Sequence, residues 1–267
     1  MDLQRRGFLR LALSTGLVLA PPLRARAETY PSRAVRIVVG FPAGGALDIA
    51  ARTVAPWLSG RFGQPFLVEN RLGASGNTAT ADVVRAAPDG CTLLLCGPVH
   101  AINTTLFENL GFDFSRDIAP VASIARVPLV VEVNPSVPAR SVPELIAYVR
   151  DNPGRLRVAY AGAGTPQHIA IELFQVMAGV RMTLVPYLGS APALADLLRG
   201  EVQAMFDPVL SSMPHIRAGR LLPLATTGPE RAEILSELPA VSEFVPGYEA
   251  GSWFGLGAPR DEGFSPA

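Results

Sequence analysis

Four short glycine-rich turns hold the chemistry open to this chain. They are Pro42-Ala43-Gly44-Gly45, Gly73-Ala74-Ser75-Gly76-Asn77, Gly162-Ala163-Gly164-Thr165 and Leu188-Gly189-Ser190-Ala191-Pro192. The first follows the apolar run Val35-Arg36-Ile37-Val38-Val39 and precedes Ala46-Leu47-Asp48. It therefore reads as strand, glycine turn and helix start, a corner that aims backbone N–H groups at an anion. One such turn is weak evidence, because glycine also serves plain turn geometry. Four of them, each behind an apolar run, point to a site for a small carboxylate or phosphate. Asp48, at the helix start, either complements the helix N-terminus, or fixes the turn, or accepts from an amine or a bridging water. Asp207, ending the run Met205-Phe206-Asp207-Pro208, either faces a cleft or starts a turn.

Other chemistry is excluded or unsupported. All 23 basic residues are Arg, which removes Schiff-base, pyridoxal-phosphate and P-loop lysine chemistry. Gly162 and Gly164 lack the third glycine of a dinucleotide fingerprint, and no Gly-x-Ser-x-Gly elbow occurs. Ser75 and Ser190 have no sequence-evident base. His100, His168 and His215 are scattered, without metal-ligand spacing, and read as structural. No metal, no cofactor and no catalytic residue is expected, and the chain is not read as an enzyme. Cys91 and Cys96 flank one apolar run; on a strand they would stand ~16 Å apart on opposite faces, as buried thiols.

The turns need a scaffold, and the apolar periodicity supplies one. Strands are expected near 35–39, 66–69, 92–95, 129–133, 156–160, 183–186, 202–206 and 223–226. Helices are expected at 47–61, 77–87, 142–150, 167–178, 192–198 and 212–218. This is the rhythm of an open, largely parallel α/β sheet covered on both faces. Ser141-Val142-Pro143-Glu144 reads as a capping box with Pro in the first turn. The segment 127–143 carries Pro128, Pro135, Pro138 and Pro143; it reads as a crossover between domains, or else as a long surface loop.

Residues 1–27 have the layout of a secretory leader: Arg5-Arg6-Gly7-Phe8-Leu9, an apolar run over 11–20, then Ala25-Arg26-Ala27. The run is far short of the ~20 residues of a spanning helix. The paired arginines favour export of a folded protein, with cleavage after Ala27. The leader holds five Arg and one Asp, so with a net charge of +0 overall the remainder sits near −4. A mildly acidic chain without a basic run is a poor nucleic-acid binder.

These residues resemble the substrate-binding receptors of tripartite tricarboxylate transporters, the Bug-type receptors. The shared phrases include Phe41-Pro42-Ala43-Gly44-Gly45 with Asp48, Val68-Glu69-Asn70-Arg71, Ala87-Pro88-Asp89-Gly90 and His100-Ala101-Ile102-Asn103. They continue with Gly164-Thr165-Pro166-Gln167-His168, Val185-Pro186-Tyr187, Met205-Phe206-Asp207 and Trp253-Phe254-Gly255-Leu256. The resemblance implies an α/β, two-domain periplasmic-binding-protein (type 2-like) fold. Domain 1 would span 28–127, with 251–267 returning to it, and domain 2 would span 128–250. It implies a periplasmic, monomeric receptor that passes a small organic acid to membrane permease subunits. The ligand contacts it implies are Phe41, Ala43, Gly44, Asp48, Pro98, Val99 and His100 in domain 1. In domain 2 they are Tyr160, Gly162, Thr165, His168, Gly189, Ala191 and Asp207.

Two departures from the family accompany the match. Tyr160 stands where a small residue is usual, so it would narrow the pocket or offer a phenol to an aromatic acid. The family also continues beyond Pro259, so the fold is expected to be C-terminally truncated, with exposed apolar surface, lower stability and weak or absent ligand binding. The alternatives are a periplasmic ligand-sensing input to a sensor kinase and a nonfunctional truncated receptor.

Overall fold

The computed structural model describes residues 30–261; residues 1–29, which include the expected leader, and residues 262–267 lie outside the described residues. Nine strands form one mixed sheet: β1 (Val35–Val39), β2 (Phe66–Asn70), β3 (Thr92–Cys96), β4 (Ile118–Val133), β5 (Arg157–Tyr160), β6 (Thr183–Pro186), β7 (Ala204–Pro208), β8 (Leu222–Thr226) and β9 (Gly251–Pro259). The order is β2-β1-β3-β9-β4-β7-β5-β6, with β8 also on β4. The β1–β2, β1–β3, β5–β6 and β5–β7 pairs are parallel, and all pairs made by β4 and β9 are antiparallel. Two parallel α/β lobes are thus joined through antiparallel central strands, a two-domain periplasmic-binding-protein fold.

At the expected crossover the chain is a long paired strand up to Val133. Strand β4 runs without a loop from Ile118 to Val133, and both Pro120 and Pro128 lie inside it. Its first part pairs with β9, with a register shift beside Pro120; its second part pairs with β7 and β8. Proline is tolerated at such a bulge, where the ladder is already interrupted. At the passage from one lobe to the other, buried Thr227 ties the two crossing segments. Its hydroxyl accepts the Leu129 N–H at 3.0 Å and donates to the Ala250 carbonyl at 2.7 Å. Its own N–H donates to Leu129 O, and the Ala250 N–H donates to Thr227 O.

Among the described residues eight helices cover the sheet: α1 (Ala46–Phe62), α2 (Asn77–Val84), α3 (Pro98–Leu106), α4 (Phe114–Asp117), α5 (Val142–Asp151), α6 (Pro166–Ala178), α7 (Ser190–Arg199) and α8 (Val209–Arg217). Helix α1 buries Ala46, Ala50, Ala51 and Ala55, a small-residue face that lies close on β1 and β3. The same apolar cluster takes in Val130, Val209 and Met213, so it continues from the first lobe into α8 of the second. A larger core under α5 and α6 holds Phe174 edge-on to both Phe206 and Tyr248, each fully buried. Ser141 caps α5 by accepting the Glu144 N–H, while Glu144 accepts the N–H of Arg140, one residue before the cap. Both cysteines are free and buried; burial pushes the Cys96 thiol up to about 11.

Candidate functional site

Strand order sets the place of the site. The C-terminal ends of β1, β3, β5 and β7 each lead into a helix, and the N-termini of α1, α3, α6, α7 and α8 meet between the lobes. They surround a narrow, partly open space of about 30 Å³, room for about one water. Phe41, Gly45, Ala46, Leu47, Val99 and Phe254 line it from the first lobe, and Ala161, Thr165, Pro166, Gln167, Ser190 and Pro208 from the second, with Ser252 from β9. No Arg or His lines this space. Helices α1, α3, α7 and α8 start without a side-chain cap. In α3 Pro98 has no N–H and the His100 N–H returns to Gly97 O, so α3 leaves only the Val99 N–H for a ligand, beside the first-turn N–H groups of α1, α7 and α8. An anion here is met by backbone dipoles.

The lobes are closed on one another, and glycine allows it. A Cβ on Gly189 would stand 2.5 Å from Pro42 Cδ, and one on Gly164 would stand 2.9 Å from Asn103 Oδ1 and Leu106 Cδ2. Gly162 faces Ser75 Oγ, and Gly44 faces Ala191. The glycines legible in the sequence thus serve two purposes, exposing N–H groups and allowing two lobes to touch.

The first turn differs from its simplest reading. The Gly44 N–H is not free: it donates to Asp48 Oδ2 at 2.9 Å, and Gly45 N–H turns back to Pro42 O. Gly44 contributes a φ of +82° that other residues resist. The donors that face the cleft are one step on, at Ala46 and Leu47. Asp48 is 2% exposed and also accepts from Arg52 Nε and Asn70 Nδ2. Burial alone would raise its pKa; the Arg52, Gly44 and Asn70 hydrogen bonds outweigh this and hold it below the ordinary value. Asp48 therefore fixes the turn.

Behind the first-lobe wall, residues Ala74 and Ser75 adopt left-handed φ values of 46° and 52° between Gly73 and Gly76. Asn103 Nδ2 holds that segment through Ser75 O at 3.0 Å and Asn77 Oδ1 at 2.8 Å. His100 Nδ1 faces the Gly97 backbone, 3.0 Å from its N and 3.1 Å from its O, and leaves Nε2 as the ring's other polar atom. That Nε2 is buried and unpartnered, as are Asn77 Nδ2 and Asn103 Oδ1. Burial drives the His100 pKa down to about 4, so the ring is neutral. The folded pKa is depressed, so its contribution to stability is full above the unfolded value of 6.5 and is lost as pH falls towards 4. His100→Gln is therefore expected to remove on the order of 3 kcal/mol of acid-side instability relative to the native chain. Urea unfolding of both proteins across that range measures it; equal pH slopes would contradict it.

In the second lobe the sequence candidates separate. Thr165 lines the cleft and caps α6, accepting the His168 N–H and donating to Gly162 O at 2.7 Å. Tyr160 and His168 stack on each other with ring centroids 4.7 Å apart, and neither lines this space. Asp207 is fully buried behind the wall: Oδ1 accepts from Ser190 at 2.6 Å and Gln167 at 3.3 Å, and Oδ2 accepts from Ser211 and Ser212. Phe41, Val99 and Thr165 line the space; Ala43 is exposed, Pro98 opens α3, and Gly44, Gly162, Gly189 and Ala191 sit where the lobes touch. Ala46, Leu47, Gln167, Ser190 and Phe254 went unassigned in the sequence reading. Gln167 and Ser190 were findable, since each is a polar residue in the first turn of a helix that follows a glycine turn.

Comparison with known proteins shows which family shares this sequence and fold. The family model described as "Tripartite tricarboxylate transporter family receptor" matches residues 50–263. Protein BugT of Bordetella pertussis is 35% identical over 93% of this chain and 76% of its own length. The structure of R. palustris Rpa4515 with adipate is 43% identical, with a TM-score of 0.85, covering 86% of this chain and 78% of that one. MatC from Rhodopseudomonas palustris with bound malate is 33% identical, with a TM-score of 0.80, covering 86% and 79%.

Proposed function

Because this chain belongs to the receptor family of the tripartite tricarboxylate transporters, we propose that it captures a small organic carboxylate between its lobes and delivers it to the membrane subunits of such a transporter. Its relatives are periplasmic solute-binding receptors. The observation that carries the carboxylate reading is the meeting of five helix N-termini at one closed cleft that no cationic side chain lines. Charge-assisted bonds from backbone N–H groups suit a carboxylate, and their fixed geometry needs no lysine. The apolar lining from Phe41, Leu47, Val99 and Phe254 suits a hydrocarbon middle. Adipate and malate, held by the two R. palustris proteins, are the first ligands to test. Calorimetry on the chain from Glu28 onward should give saturable one-to-one binding to a dicarboxylate of this size. Binding of an amine or a neutral sugar instead would contradict the reading.

The pairings of β4 and β9 support placing the lobe boundaries at 28–127 with 251–267, and at 128–250. Among the described residues no helix is long and apolar enough to cross a membrane. Export then rests on the leader. Replacing Arg5 and Arg6 together by Lys is expected to trap uncleaved precursor in the cytoplasm, read by immunoblot of periplasmic and cytoplasmic fractions. Normal export of that variant would remove the twin-arginine route and leave secretion itself intact.

A further inference from the structure

Behind the cleft wall, two fully buried carboxyl groups face each other across one hydroxyl. Glu132 is the lone charged residue in the apolar second part of β4, and Asp207 lies next to the end of β7, which pairs with β4. Ser212, on α8, places its Oγ 2.7 Å from Glu132 Oε1 and 3.2 Å from Asp207 Oδ2. A serine carries one hydroxyl hydrogen, so it cannot donate to both oxygens at once. Glu132 Oε2 has no partner at all, a costly place for half a buried anion. Asp207, in contrast, has donors for both oxygens: Ser190 and Gln167 on Oδ1, and Ser211 with Ser212 on Oδ2.

The surrounding elements offer no countercharge. Helix α6 presents Gln167, α7 presents Ser190, and α8 presents Ser211 and Ser212. Strand β8 sets Thr226 opposite Val130 on the same sheet face as Asp207, and β9 carries no charged residue. Asp207 is the one charge that acts on Glu132, and no Arg or His bonds either carboxyl among the described residues.

We propose that Glu132, Ser212 and Asp207 form a proton-holding relay: Glu132 is a neutral acid whose O–H donates to Ser212, and Ser212 donates to the Asp207 carboxylate. The pair then carries one proton and one negative charge. A concerted shift of two hydrogens along the chain, Glu132 to Ser212 and Ser212 to Asp207, exchanges acid and anion without changing either total. Burial and the neighbouring Asp207 charge both push the Glu132 pKa well above its ordinary 4.5, in the direction the relay requires. The relay matters to the cleft because Ser190 and Gln167 both line it and both bond Asp207. An incoming carboxylate meets one buried charge behind that wall instead of two.

The test needs no ligand, so it stands or falls apart from the proposed function. Difference infrared spectroscopy of the native chain against Glu132→Gln at neutral pH should show one protonated-carboxyl band, shifted in heavy water and missing from the variant. Ser212→Ala keeps both carboxyls and should move that band. Because the folded pKa of Glu132 is raised, its stabilising effect is lost as pH climbs above 4.5. The unfolding constant of the native chain should thus rise relative to Glu132→Gln by up to about tenfold per pH unit. Absence of the band from the native chain at neutral pH overturns the relay, and so do parallel pH profiles. Should Glu132→Gln fail to fold, the native band and its heavy-water shift decide alone.

Discussion

Gly189→Val is expected to lower ligand affinity by about a hundredfold or more, about 2.7 kcal/mol, while leaving thermal stability nearly unchanged. A Cβ at this position would stand 2.5 Å from Pro42 Cδ and 3.0 Å from its Cγ, across the cleft. Proline is rigid, so the clash is relieved only by moving one lobe. Gly189 has a φ of 163°, extended backbone that valine accepts, so the second lobe itself is not strained. The substitution therefore acts on closure. With the lobes apart, a ligand held by α6 and α7 loses the N–H groups of α1, and the closed form carries an added free-energy cost in every binding event. Calorimetry with adipate reads the affinity, and X-ray scattering reads the opening as a larger radius of gyration. Unchanged affinity together with an unchanged radius would show that Pro42 and Gly189 do not meet in the working molecule.

Asp207→Ala is expected to destabilise the fold by about 3 kcal/mol and to weaken capture as well. Four donors converge on this carboxylate, and an orphaned buried donor costs roughly 1–3 kcal/mol. The loss is unequal among them. Ser211 retains the Pro208 carbonyl at 3.0 Å, and Ser212 retains Glu132. Gln167 retains a 3.2 Å contact to Ser190 Oγ, but Ser190 itself loses its acceptor. Removing the Asp207 charge also relieves Glu132, which offsets part of the cost. Urea unfolding at neutral pH measures the sum, and a change below about 1 kcal/mol would show that the buried network contributes little. The effect on affinity follows because Ser190 and Gln167 stand on the cleft wall and lose the group that orients them.

Much of this was legible in the residue pattern. Runs such as Val35-Arg36-Ile37-Val38-Val39 are apolar on both faces, which only a covered parallel strand requires, and β1 lies where that pattern puts it. The glycine turns also sit at helix starts as their spacing implied. The central antiparallel pair was harder to see. Strand β4 carries two prolines and exposed residues over Val121 to Ser123, so its first half looks like a loop; its partner β9 lies more than a hundred residues away. Local pattern does not encode that pairing. Helix α3 was hidden for a related reason: Gly97-Pro98 reads as a break, yet proline at the first helical position opens a helix.

At the site, the glycine turns meet between the lobes and Phe41, Val99 and Thr165 line the space, while other residues sit differently from their simplest reading. The Gly44 N–H is consumed within its own turn by Asp48, a bond between residues four apart that the exposed Arg52 and half-buried Asn70 help to fix. Tyr160 ends β5 on the face that packs against α6, which pairs its ring with His168 away from that space. Glu132 left one signal, a single acid inside Leu129-Val130-Val131-Glu132-Val133, where burial on both faces makes a charge expensive.

The central claim is that a carboxylate is held by backbone N–H groups where helices from both lobes meet. Amide nitrogen–proton correlation spectra of the chain from Glu28 onward, recorded as adipate is added, test it most directly. The largest shifts are expected at Ala46, Leu47, Gln167 and Ser190, on both sides of the cleft and saturating together. Saturating shifts confined to one lobe, or centred away from these helix starts, would contradict it.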